Sequence, residues 1–149
     1  MLEQRIEQDL KTALLAGDKV KVTTLRGLKS VLLYAKVAAG TRDESLSDEA
    51  VIALLSKEAK KRQESADLYK QGGSQERADA ELTEKALIET YLPTQLDEAE
   101  LRKIVEEVIA ETHASGMADM GRVIGAVRAK TQGTADGAAI AQLVKERLS

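Results

Sequence analysis

The stretch Asp119-Met-Gly-Arg-Val-Ile-Gly-Ala-Val127, followed by Lys130-Thr-Gln-Gly-Thr-Ala-Asp136-Gly137 and a segment closing on Leu143-Val-Lys-Glu-Arg-Leu148, reads as two short helices joined by a glycine turn. Wound at roughly 100° per residue, the first of them, Met117 to about Lys130, gathers Met120, Val123, Ile124 and Val127 into a buried stripe with Met117 at its edge. Gly121 and Gly125 then lie roughly 110–150° away from that stripe, beside Ala118, Arg122 and Ala129. A glycine inside a helix costs about 0.8–1 kcal/mol relative to alanine, so two of them off the core side need a reason. Either a neighbouring helix crosses closely there, or a phosphate–ribose backbone approaches the bare helix, flanked by Arg122, Arg128 and Lys130.

Upstream, Asp97 with Glu100 three residues later makes an acidic capping box for a helix whose apolar face is Leu101, Ile104, Val105, Val108 and Ile109. Before it, Pro93 pushes Leu92 out of helical geometry and closes the preceding helix. A boundary at this proline divides the chain into an N-terminal helical domain, 1–92, and a small three-helix domain, 93–149. A unit of fewer than about 60 residues has only marginal stability by itself.

The N-terminal part is also helical throughout. Leu2, Ile6, Leu10, Ala13 and Leu14 make one face that stops at Gly17, Asp18 caps a second helix, and Val22, Leu25, Leu28, Leu32 and Ala35 stripe it up to Gly40. Ser47 caps a third helix with Asp48 and Glu49 in its first turn, where negative charge suits the dipole. That helix runs to Gln71. Gly72-Gly73-Ser74 turns the chain, so that a fourth helix, about Gln75 to Thr90, returns as an antiparallel hairpin. No segment alternates as a strand, and the fold class is all-α.

Composition narrows the chemistry. Hydrophobic residues make up 43% of the 149, enough for a core, but with no Trp or Phe and three Tyr that core is aliphatic and offers no platform for stacking bases. A net charge of −3 opposes coating nucleic acid through bulk positive charge, which leaves a local patch. Without cysteine there is no disulfide, thiolate nucleophile or cysteine-based zinc site. Charges through the first ten residues and the lack of any long apolar run point away from a signal peptide or membrane span and towards the cytoplasm. No nucleophile elbow, phosphate loop, dinucleotide fingerprint or metalloprotease motif is present, so neither catalytic residues nor a cofactor are expected.

Other candidates weigh less. The Gly133–Gly137 turn has the look of a phosphate site at a helix start, yet Asp136 is expected to cap those donors itself. Lys57, Lys60, Lys61 and Arg62 form a basic cluster diluted by Glu58 and Glu64. Arg62 stands out because it shares a stripe with Ile52, Leu55, Ala59, Ala66 and Tyr69, where it needs a partner; a symmetric hairpin brings Glu81 or Glu84 level with it. Arg26 and Lys29 sit on the second helix as ordinary exposed cations, and His113, the single histidine, falls in a surface turn without visible catalytic or metal partners.

Together, Tyr91-Leu-Pro-Thr-Gln-Leu96, the Asp119–Leu148 stretch and Thr24-Leu-Arg-Gly-Leu-Lys29 resemble the YqeY family. The C-terminal half is similar to the tail domain of the B subunit of glutamine-dependent aminoacyl-tRNA amidotransferase. That resemblance implies contact with tRNA or a tRNA–protein complex through the surface carrying Gly121, Arg122, Gly125, Arg128 and Lys130, with Arg26, Lys29 and Arg62 as secondary candidates. In the amidotransferase the chemistry belongs to a separate cradle domain and to another subunit with a serine–lysine centre, neither of which has a counterpart here. The resemblance therefore implies an accessory tRNA-associated binding protein without a catalytic centre. The alternatives are an amidotransferase-like component, a carbon–nitrogen ligase using glutamine as amide donor, or a helical module that binds another protein.

Overall fold

A computed structural model describes residues 1–149. It contains seven α-helices and no strand: α1 Leu2–Ala16, α2 Lys19–Ala38, α3 Asp48–Gln71, α4 Gln75–Glu89, α5 Glu98–Thr112, α6 Met120–Thr131 and α7 Gly137–Leu148, with a 3-10 turn at Met117–Asp119. The helices gather into two compact units, Met1–Leu92 and Pro93–Ser149.

In the first unit the punctuation read from sequence does its work. Gly17 takes the left-handed conformation, φ 70°, that lets α1 stop, and the Asp18 carboxylate accepts from the Lys21 N–H at 3.2 Å to start α2. Ser47 accepts from the Ala50 N–H at 3.2 Å and opens α3. Ile6, Leu10, Leu25, Leu28, Leu32, Val51, Leu55 and Ile88 form one aliphatic core, which Tyr91 closes from beyond the end of α4. The Tyr91 hydroxyl donates to Asp9, and the Arg5 guanidinium sits 4.8 Å from the ring centroid. Burial pushes the phenol pKa well up, and the acceptor Asp9 adds to that. Leu92 packs on the same core, so the chain is pinned to α1 where it leaves the unit.

The outer half of the α3–α4 hairpin is built differently. Large apolar side chains give way to Ala66 and Ala78, both fully buried, and to an ionic cluster around Arg62. Its Nε donates to Glu84 at 2.8 Å and its Nη1 to Glu58 at 3.1 Å, while Glu81 stands 3.9 Å away. The expected cross-hairpin ion pair is present. Glu58 corrects the sequence reading: instead of diluting a solvated basic face it is 6% exposed and receives both Arg62 and Lys61. Val51, more than Ile52, is the fully buried residue at the start of α3, and Leu14 at the end of α1 is 48% exposed.

The second unit packs Leu101, Val105 and Val108 of α5, Val123 and Val127 of α6, and Ile140, Leu143, Val144 and Leu148 of α7 around one core. The Asp97–Glu100 capping box closes in both directions, at 2.8 Å and 3.1 Å. The sixth helix starts later than the sequence suggests, because Met117–Asp119 form a 3-10 turn ahead of Met120. Gln132 and Gly133, with φ 43° and 82°, carry the chain from α6 to α7. Two bonds tie the post-proline segment to this turn: the Leu96 N–H donates to the Thr134 carbonyl at 2.7 Å and Gln95 Nε2 to the Gly133 carbonyl at 3.0 Å.

Candidate nucleic-acid interface

One side of α6 is committed to the core by Val123 and Val127, with Met120 and Ile124 packed beside them. On the other side a Cβ placed on Gly121 or Gly125 meets no atom. The small residues there do not serve a close helix crossing within this unit. They leave a bare backbone strip, edged by the exposed Arg122 and Arg128. Seven Lys and Arg against nine Asp and Glu in residues 93–149 make the strip a local cationic feature of an acidic unit.

The three flanking cations differ in what holds them. Arg122 Nη2 reaches back one turn to Asp119 at 2.9 Å. The Ser115 N–H, with Arg122 behind it, holds the Asp119 carboxyl below its ordinary pKa against a smaller upward push from burial. Lys130 bonds Glu111 of α5 at 2.8 Å, and that bond raises its own pKa. It stands roughly 140–180° around α6 from the two glycines, so the structure draws it off the strip. Both pairs are solvent-exposed and screened by water; an incoming phosphate can compete for either cation.

Arg128 has no carboxylate partner. Its guanidinium lies across the start of α7, where a Cβ on Gly137 would come within 2.8 Å of Nη2. Glycine at 137 therefore makes room for an arginine over the first turn of the last helix. Asp136 corrects a second expectation: it occupies the N-cap position with extended backbone, φ −69° and ψ 137°, but its side chain caps nothing. The free N–H groups of that turn and the Arg128 guanidinium thus lie together, and both favour an anion.

The secondary candidates divide in the same way. Arg62 is fully engaged by the hairpin carboxylates. Arg26 and Lys29 belong to the other unit, where they line a groove between α1 and α2. No group of three His, Asp or Glu side chains converges as metal ligands, and His113 is an exposed C-cap in the left-handed conformation, φ 54°. Sequence reasoning undervalued Gly137: the signal was there in the Asp136-Gly137 pair, but its meaning depends on Arg128 arriving from another helix.

Comparison with known proteins places these features in context. The family described as Yqey-like protein matches residues 3–148. Over 87 residues the chain is 33% identical to "Altered inheritance of mitochondria protein 41, mitochondrial" of Eremothecium gossypii. The match takes in 58% of this chain and 46% of that relative, so the chain spans about half the length of the curated protein it matches. No helix is long and apolar enough to cross a membrane.

Proposed function

Because the chain belongs to the YqeY family, whose match runs over almost its full length, we propose that it is an accessory RNA-binding protein that contacts tRNA or a tRNA–protein complex through α6 and the start of α7. The observation that carries this reading is the unpaired Arg128 guanidinium lying over the uncapped first turn of α7, beside the open backbone at Gly121 and Gly125. A phosphate meets a cation and free N–H donors there, while the bare helix admits the sugar–phosphate chain without steric cost. Arg122 adds a second cation by exchanging Asp119 for a phosphate, whereas Lys130 faces α5 and is left out. The sequence resemblance of the C-terminal half to the amidotransferase tail supports tRNA as the ligand class. It supplies no reaction, and the role we propose is non-catalytic.

On this reading residues 1–92 and 93–149 act as separate domains, each closing its own core, and the protein works in the cytoplasm. Phosphate contact makes binding salt-sensitive. Unfractionated tRNA, titrated into wild type and into the Arg122→Glu/Arg128→Glu variant at low and moderate salt, tests this. Wild type is expected to bind at low salt with a log–log salt slope steeper by about one for each phosphate-contacting cation, and the variant to lose binding. Negligible affinity of both proteins at low salt, or equal affinity, rules the reading out.

A further inference from the structure

The other unit carries an unclaimed surface. Helices α1 and α2 run antiparallel, and between them lies an open groove of about 490 Å³ floored by Leu10 and Leu32. Charged side chains of both helices share its lining with Leu33, which is 45% exposed; the aliphatic faces run on beyond the groove in Val37, one turn further along α2, at 54%, and in Leu14, one turn beyond Leu10 on α1, at 48%. Apolar side chains this exposed on two adjoining helices make the kind of groove that a third helix fills.

Charge says which helix. Two carboxylates line the α1 side, and both are already met: Glu3 by Lys36 and by the Leu46 N–H, Glu7 by Lys29 at 3.5 Å. Arg26, two turns from Leu33 on the same face of α2, has no ion-pair partner. In a chain of net charge −3 this groove therefore presents a surplus cation beside aliphatic side chains. RNA would use the cation and leave Leu14, Leu33 and Val37 in water. A second copy seated groove to groove would offer Arg26 only its own Glu3 and Glu7, which are engaged.

We infer that the α1–α2 groove docks an amphipathic helix of another protein. Leucine-type residues three and four apart on that helix cover Leu33 and Val37, and an Asp or Glu about two turns away, roughly 10 Å along the axis, meets Arg26. The surface is independent of the RNA reading, which rests wholly on residues 120–139.

A display library of 18-residue helical peptides, with a fixed leucine stripe and randomised flanking positions, selected on the full chain, supplies the probe. The best peptide is then compared with its Glu→Lys counterpart by fluorescence anisotropy. Selected peptides are expected to carry a carboxylate about seven residues from the leucine pair, and the Glu form to bind about fivefold more tightly than the Lys form at low salt. Leu33→Asp/Val37→Asp should weaken binding at least about tenfold, and Arg26→Glu should reverse the charge preference. All three positions are exposed, and Arg26→Glu keeps the test intact if the aliphatic variant loses its helical signal. Charge-indifferent peptides, undiminished binding to the double variant, or a wild-type dimer in sedimentation that Leu33→Asp dissociates would each overturn the inference.

Discussion

Arg62 and Arg128 are both arginines lying against a second helix, yet one is surrounded by Glu58, Glu81 and Glu84 and the other has no carboxylate at all. Arg62 sits where the α3–α4 hairpin lacks large apolar side chains, and its charges substitute for a core. Arg128 sits beside a core already complete in Val123, Val127 and Ile140, so its charge is not needed for packing. What a basic residue does is thus decided by what stands opposite it. A basic cluster in sequence is silent on that point.

The contrast breaks most visibly on stability. Arg62→Ala leaves the buried Glu58 facing Glu84 with only Lys61 for company, and removing one partner of a largely buried pair costs on the order of 3 kcal/mol. Arg128→Ala, an exposed change with no protein partner lost, should stay within about 0.5 kcal/mol. Urea unfolding of the two variants side by side measures the difference. Equal losses would mean that Arg128 is structural too, or that Arg62 is not.

A second, smaller effect sharpens the account of α6. With nothing within 4 Å of a new Cβ at either position, Gly121→Ala and Gly125→Ala should each stabilise the helix by about 0.8–1 kcal/mol. The same changes should reduce tRNA affinity, because the methyl groups stand where a sugar–phosphate chain would lie. Stabilisation without loss of binding would leave the bare strip with no purpose in the proposed function.

The smallest effect concerns pH. Burial pushes the Glu3 carboxyl up, but bonds from Lys36 and the Leu46 N–H outweigh it and hold the pKa below the ordinary value. A depressed carboxyl contributes stability that is fully present above its unfolded pKa of 4.5 and is lost as pH falls through the lower folded value. Thermal melts from pH 6 down to pH 3 should show wild type losing more stability than Glu3→Gln. Parallel curves would mean that Glu3 contributes nothing through its charge.

How far the sequence can be read follows from the range of each interaction. Caps and stripes are local, so Gly17, Asp18, Ser47, the Asp97–Glu100 box and most of the aliphatic faces were legible, although Leu14 stands 48% exposed and Val51, not Ile52, is the fully buried residue at the start of α3. The Arg62 pair was legible because a two-glycine turn fixes the hairpin register. Glu58 was misread because its burial comes from a facing helix, and Asp136 because an N-cap position does not oblige the side chain to bond. The direction of Lys130 follows from helical spacing, but only Glu111 on α5 gives it a reason. Arg128 over Gly137 joins two helices across a turn, and no periodicity announces such a meeting.

Amide chemical shifts of the nitrogen-15-labelled full chain, followed as unfractionated tRNA is added, test the central claim most directly. The account predicts that Gly121, Gly125, Arg128 and the Gly137–Ala139 turn shift or broaden first, and that the effect fades as salt is raised. Unmoved amides at those positions in excess tRNA, or changes confined to Met1–Leu92, would contradict it.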